Sequence, residues 1–428
     1  MQYRPPANQG EMDTYIEMVR LAFNSSAEDV AFWQSIDPLT PDNSRCLFDD
    51  DGKLLCGMGI IDEGALYFNN PTPIPTALIT AVASPPEHRR KGYIRELFVG
   101  MFDEQRAKGV ALSALYPFYF PFYRTFGYEL AHDAAQYTVK IEQFKPWRKA
   151  AGTGTFTPID TKHIKAIVTG DGNKDDDNDT GDLEKLDSIY KEWAIRNLGA
   201  VSRSKRWWLH KFTHKKEHIP TYLYYNAEGR PSGYIIYHLE DKGEWVRELA
   251  IHEMMAVDHQ AWEAIYGFIY NHDSQASKVT FWMPVDAAFA SRLPDPREAE
   301  VKVHSGYMLR LLDVEEAFRQ RTFQPEIEGE FTFAVADEIL PINSGIYHLQ
   351  VRDGKANIEK LPVTSKSKAR AGVRMDARAL AQLYGGYIAP VRAAATGQIE
   401  VLKEDGLANM QAVLSPSGQP TPYMADDF

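Results

Sequence analysis

Ala81-Val82-Ala83-Ser84-Pro85-Pro86-Glu87-His88-Arg89-Arg90-Lys91-Gly92-Tyr93-Ile94-Arg95-Glu96-Leu97 is the stretch on which the reading of the chain turns. Upstream, residues 76–83 form an apolar, β-branched run. Downstream, Ile94, Leu97, Phe98, Met101 and Phe102 recur at helical spacing until Lys108-Gly109 closes the pattern. The spacing predicts a strand, a basic glycine-containing turn and a helix. Such a turn gathers backbone N–H groups, two arginines, a lysine and the positive end of a helix at one point, an arrangement that holds an anion. A pyrophosphate meets that description, and Gly92 lets the backbone approach it without a Cβ. The same residues also suit an ordinary solvated helix start.

Arg89-x-x-Gly92-x-Ile94 resembles the acyl-CoA signature of the GNAT acetyltransferase superfamily, Gln/Arg-x-x-Gly-x-Gly/Ala, with Ile94 in place of the last small residue. The resemblance implies that Val82, Ala83 and Ser84 pair in strand fashion with the pantetheine arm of acetyl-CoA. It implies also that Arg89, Arg90, Lys91, Gly92, Tyr93 and Ile94 hold the pyrophosphate, and that a backbone N–H such as that of Val82 polarises the thioester carbonyl. Phe122-Tyr123-x-x-Phe126-Gly127-Tyr128 resembles a second GNAT element, in which a one-turn helix carries a tyrosine beside the CoA sulfur. Tyr123 is then the general acid for the leaving thiolate, a role open to a phenol of ordinary pKa ~10 facing a thiolate of ~8.5. Tyr116, Phe118, Tyr119 and Phe120 suit core packing, while Phe118 and Phe120 also offer a wall for a bulky acceptor or a cation–π contact with an ammonium.

The length of 428 residues and a 44% hydrophobic content are those of a globular chain of two or three domains. The formal net charge of −12 opposes nucleic-acid binding and fits either solubility or attraction of cationic small molecules. The two cysteines, Cys46 and Cys56, flank a hairpin turn at residues 49–52 and are expected to face each other as reduced, half-buried strand residues. Residues 1–19 carry no basic segment followed by an apolar stretch, and no run of about eighteen apolar residues occurs, so a cytoplasmic protein with no membrane partner is expected. The acidic run 171–182 lacks EF-hand spacing and reads as a solvated loop; no metal site is expected.

Taken in order, residues 11–23 and 28–36 read as helices, and residues 129–141 as the last strands of a first domain. Residues 146–154 form a linker, 155–170 a strand and helix, and 183–197 a further helix. Trp207, Trp208 and Phe212 fall on one helical face, which reads as core rather than as a phosphate dock. From residue 221 the pattern of the first domain repeats, but residues 252–259 stand where the basic turn stood, without its glycine or basic pair. Residues 278–283 and 306–314 are expected to complete this second, degenerate copy. Beyond it, residues 329–337 and 345–352 read as paired strands, 376–383 as a helix, and a Pro/Ser/Gly stretch leads to the tail.

This order of parts, together with the Arg310-Leu311-Leu312-Asp313-Val314 segment and a terminal phenylalanine, resembles the Eis family. The resemblance implies an α+β protein of tandem GNAT folds plus a sterol-carrier-protein-2-like domain, divided at residues 1–150, 151–314 and 315–428. It implies that the terminal α-carboxylate of Phe428 is the base that takes up the proton of the acceptor amine, with orientation of that amine as its larger contribution, and that Asp427 contacts an ammonium. Acetyl-CoA is then the cosubstrate, and transfer is direct, in a ternary complex, to a polycationic small-molecule amine such as an aminoglycoside or polyamine. A homo-oligomer, by resemblance a hexamer, is expected. A protein lysine acetyltransferase, a lipid carrier built on the C-terminal domain, and a CoA sensor without turnover are the alternatives.

Overall fold

The computed structural model describes residues 1–61, 63–169, 181–214, 217–243 and 247–426. Most of the acidic run, Trp245, Lys215, Lys216, Asp427 and Phe428 lie outside them. The chain folds into two units. One comprises Met1–His132, Asn197–Val201 and Gly306–Phe428, the other Asp133–Arg196 and Ser202–Ser305.

The first unit opens on two helices that start where short polar side chains satisfy their orphan N–H groups. Asn8 accepts from the Glu11 N–H to cap Gln9–Ala22, and Ser26 and Asp29 form a reciprocal box at the head of Ala27–Ile36. The hairpin Ser44–Phe48 and Leu54–Ile61 follows, turned at Gly52 with φ 79°. Cys46 lies opposite Gly57, and Cys56 opposite Leu47. The cysteines are therefore one residue out of register, both fully buried and on different core clusters, not half-buried and facing.

The sheet of this unit runs in the order Gln2–Arg4, Ser44–Phe48, Leu54–Ile61, Ile74–Ala83, Leu112–Leu115, Met308–Leu311, Glu129–Leu130. Helix Tyr93–Ala107 covers it with Leu97, Phe98, Met101 and Phe102, all fully buried and each contributing about 1.5–3 kcal/mol by leaving water. The C-terminal part of the same unit is a five-stranded sheet ordered Lys355–Leu361, Gly345–Arg352, Gly329–Ala336, Val373–Asp376, Glu400–Val401. Helices Val314–Gln320, Ala377–Gly385, Pro390–Ala395 and Glu404–Leu414 accompany it.

The second unit carries a seven-stranded sheet ordered Ala299–Ser305, Asp133–Lys140, Lys278–Pro284, Arg247–Ala256, Pro231–Asp241, Thr221–Tyr225, Thr155–Pro158. Two strands thus depart from the linear reading. Asp133–Lys140, expected to close the first domain, pairs with Lys278–Pro284 and Ala299–Ser305. Met308–Leu311, expected to complete the second copy, pairs with Leu112–Leu115 and Glu129–Leu130. Helix Lys205–Lys211 and its C-cap bury Trp207, Trp208 and Phe212, the core face expected of them, together with Leu209. Among the described residues no helix is long and apolar enough to cross a membrane.

Candidate active site

The site grows from a divergence of two strands. Ile74–Ala83 pairs in parallel with Leu112–Leu115 from Thr76 opposite Leu112 as far as Ile79 opposite Leu115, and then runs on alone on that side. On its other side the register with Leu54–Ile61 shifts between Gly59 opposite Thr80 and Gly57 opposite Ala83, so Ala81 and Val82 bulge. Ala81 takes φ 50°, and the buried hydroxyl of Tyr15 donates to its carbonyl at 3.0 Å, fixing the bulge from beneath. The gap beside residues 80–84 suits an extended, amide-bearing ligand that pairs as a strand.

At the end of this strand, Pro86–His88 makes one turn, and Arg90 and Gly92 adopt φ 62° and 85°. Gly92 caps helix Tyr93–Ala107 without any side-chain acceptor, so the helix start presents N–H groups and its dipole to the outside. Arg90 and Lys91 are exposed there, whereas Arg89 folds back, its Nε donating to the Ser84 carbonyl at 3.3 Å. Ile94 packs with Val82 and Tyr93 against the core, which accounts for a large side chain where the signature has a small one. The nine residues expected to hold the cosubstrate are thus gathered on one continuous strand, turn and helix start.

Tyr123 sits in the short helix Phe120–Arg124, whose last carbonyls accept from Phe126, Gly127 and Tyr128. It is buried in the same apolar cluster as Ile79, Val82 and Leu115, with the rings of Phe122 at 5.1 Å, Phe118 at 5.5 Å and Phe98 at 6.1 Å. Burial pushes its phenol well above the ordinary range, so the hydroxyl is protonated at any working pH. Phe118 is 72% exposed although it touches Tyr123 and Phe122, and Phe120 is half-buried. An exposed phenylalanine beside a buried tyrosine marks the rim of the site.

The tail approaches the same strand end. Tyr423 and Met424 are buried, the Tyr423 N–H donates to the Leu198 carbonyl at 3.0 Å, and the Tyr116 hydroxyl donates to the Asp426 carbonyl at 2.8 Å. Tyr116 directly follows Leu115, where the strands part. That position was the available signal for a role beyond packing. His132 was missed altogether: it is buried, stacked on Tyr307 with centroids 5.2 Å apart, and its Nδ1 accepts from the Tyr307 N–H at 3.3 Å. Burial pushes its imidazole down to about 4, so it is neutral.

The second unit repeats the divergence. Arg247–Ala256 pairs with Lys278–Pro284 only as far as Ala250 opposite Thr280, then bulges at His252. Residues 252–256 are therefore strand, and only Val257 and Asp258 stand in place of the basic turn. Just past the bulge, Glu253 is clasped by Arg203 at 2.5 and 2.8 Å and by the Tyr234 hydroxyl at 2.5 Å, with Lys211 at 3.2 Å. Arg203 is sandwiched at 3.6 Å from Tyr190 and 4.5 Å from Trp208. The helix that follows, His259–Tyr270, is capped by the Asp258 carboxylate, which accepts from the Ala261 N–H at 2.8 Å. Its positive end already holds an anion.

Known proteins share this arrangement. An acetyltransferase (GNAT) domain profile matches residues 3–131, another matches residues 199–311, and a sterol carrier protein domain profile matches residues 314–425. An uncharacterized N-acetyltransferase of Streptomyces avermitilis is 26% identical over 359 residues, 81% of this chain and 80% of that one. N-acetyltransferase Eis of Mycobacterium tuberculosis is 24% identical over 337 residues, 78% and 77% of the two chains. The crystal structure of a GCN5-related N-acetyltransferase from Anabaena variabilis superposes with a TM-score of 0.83 at 23% identity, covering 100% of both chains. Two GNAT domains and a sterol-carrier domain, with the divergent strand and basic turn in the first, define a GNAT-type N-acetyltransferase, for which acetyl-CoA is the cosubstrate the fold implies. Within that class, the chain is similar over most of its length to N-acetyltransferase Eis.

Proposed function

We propose that the chain transfers the acetyl group of acetyl-CoA directly to a primary amine of a polycationic small molecule, of aminoglycoside or polyamine kind, in a ternary complex at the first GNAT domain. The carrying observation is the run from Val82 to Ile94, in which a strand freed from its neighbour leads through two left-handed residues into an uncapped helix. Val82, Ala83 and Ser84 hold the pantetheine arm, and the N–H groups of Gly92, Tyr93 and Ile94 hold the pyrophosphate with Arg90 and Lys91 as mobile counter-charges. Arg89 braces the turn through Ser84. Acetyl-CoA supplies an activated thioester, so orientation and backbone electrostatics carry most of the acceleration.

Tyr123 donates its proton to the departing sulfur. Its raised pKa ensures that the proton is present when needed. Phe118 and Phe120 form the wall that receives the acceptor. Asp427 and Phe428 follow the anchored Asp426; we assign Asp427 the ammonium contact, and the terminal carboxylate of Phe428 orients the amine and takes up the proton that the amine loses as its N–C bond forms and the C–S bond breaks. The net charge of −12 favours accumulation of cations at the surface. A homo-oligomer and a cytoplasmic location are part of the same reading.

The test is release of CoA thiol in the presence of a panel of polyamines, aminoglycosides and lysine peptides. Turnover with the small polycations, lost on Tyr123→Phe and on deletion of Phe428, is the expected result. Turnover with the peptides alone transfers the function to protein lysines, and acetyl-CoA binding without turnover on any acceptor refutes the proposal.

A further inference from the structure

We propose that the C-terminal domain positions Tyr123 through a buried ion pair, Arg310–Asp337, so that Asp337 and Arg310 are positioning residues for the general acid. The inference rests on the assignment of Tyr123 made above. Arg310 lies on Met308–Leu311, opposite Ser113, whose hydroxyl is 2.7 Å from that of Tyr128. Its guanidinium meets both Asp337 oxygens through Nη2, at 2.6 and 2.8 Å, with both side chains buried. Its flat face lies against Gly127, where φ is 82°. A Cβ built there would come within 2.8 Å of Cζ and Nη1 and 3.1 Å of Nε. Gly127 closes the turn that carries Tyr123, its N–H donating to the Arg124 carbonyl while the Tyr128 N–H donates to that of Tyr123. The guanidinium is thus a plate beneath the turn.

Asp337 fixes that plate to the C-terminal domain. Its carboxylate accepts from the Ile339 and Leu340 N–H groups at 3.1 and 2.9 Å and from the Asn343 amide at 3.3 Å. The segment so tied buries Leu340 in the cluster of Phe98, Phe102, Phe126, Tyr128 and Tyr123 itself. Charge and packing from the C-terminal domain therefore converge on one short turn. A buried ion pair adds little net stability but is directional, so its use here is to fix one geometry.

The experiment is a double-mutant cycle between Asp337→Asn and Tyr123→Phe, with kcat and KM measured alongside calorimetric acetyl-CoA affinity. Asp337→Asn is expected to lower kcat by about ten- to a hundredfold, the scale of a misplacement near 1 Å, while KM and affinity stay within about twofold. In the Tyr123→Phe background the same change should lower kcat less than about twofold, because nothing remains to be positioned. Losses that multiply, or an affinity that falls with kcat, overturn the inference. If Asp337→Asn does not fold, Arg310→Lys, which keeps the charge and withdraws the plate, replaces it in the cycle. Unchanged kcat in Tyr123→Phe alone shows instead that the assignment of Tyr123 has failed, and the positioning role falls with it.

Discussion

Gly92 and Gly127 share a backbone conformation and differ in what surrounds them, so replacing each by alanine separates conformational strain from steric displacement. Both sit in the left-handed region, at φ 85° and 82°, where a Cβ costs about 1–2 kcal/mol. At Gly92 a Cβ meets nothing within 4 Å, so the cost ends there. At Gly127 it meets the Arg310 guanidinium at 2.8 Å, and Asp337 holds that group at 2.6 Å inside the core. Displacing it adds an overpacking cost of about 1–3 kcal/mol and loosens a buried pair whose outright loss costs about 3–5. Gly127→Ala is therefore expected to cost about 3–5 kcal/mol, against about 1–2 for Gly92→Ala.

Thermal unfolding reads the difference. The transition to follow is the one that acetyl-CoA raises. At about 2–4 °C per kcal/mol, that transition should fall by about 2–8 °C in Gly92→Ala and by about 6–20 °C in Gly127→Ala. Acetyl-CoA affinity should show the reverse order, with the larger loss at Gly92. Equal thermal shifts in the two variants refute the argument, because they leave the guanidinium contact with no energetic consequence.

Three further outcomes follow from burial. His132, neutral with a pKa of about 4 against an ordinary ~6.5, binds a proton in the unfolded chain before it does in the folded one. Its contribution is intact above pH ~6.5 and is lost progressively as the pH falls toward 4, by up to about 3 kcal/mol. Urea midpoints of the acetyl-CoA-linked transition between pH 7.5 and 5 should fall accordingly, and the part of that fall due to His132 should vanish in His132→Asn; an unaltered slope refutes it. Burial pushes the Cys46 thiol up to about 12 and raises Cys56 likewise, so a disulfide exchange reagent at pH 8 should label neither thiol in the native protein and both in guanidinium. Rapid native labelling contradicts the packing. Calorimetry should find one acetyl-CoA per chain, since the second unit has no basic glycine turn and Asp258 already caps its helix start; two equivalent sites contradict that.

What the sequence discloses about this molecule is governed by how far apart the interacting residues lie along it. The turn at Gly92, the first two helices and the one-turn helix bearing Tyr123 were all legible, because each is decided by neighbours a few residues away. The strand Asp133–Lys140 was recognised as a strand but assigned to the wrong sheet. Its alternating burial serves either sheet equally, and its partners lie far along the chain at Lys278–Pro284 and Ala299–Ser305. Met308–Leu311 failed in the same way. The register of Cys46 and Cys56 was lost to a shift of one residue, enough to send the two thiols to opposite faces.

The site divides along the same line. The half to which we assign the ligands, Val82 to Ile94 and Phe122 to Tyr128, is contiguous sequence and could be read. Its supporting half is not: Tyr15 beneath the bulge, Tyr116 and Asp426 at the tail, His132 against Tyr307, and Arg310 with Asp337 are joined only by the fold. Glu253 makes the same point in the second unit. A glutamate within an apolar strand carries no local sign that Arg203, 50 residues before it, will bury it. Supporting residues of this kind touch no ligand, yet geometry held to a fraction of an ångström depends on them. That asymmetry explains why the missing basic turn was visible from sequence while the buried Arg203–Glu253 pair was not. It also makes Asp337, remote from the reacting atoms and tied to the Tyr123 turn only through Arg310, the stronger test of how this chain builds its active site.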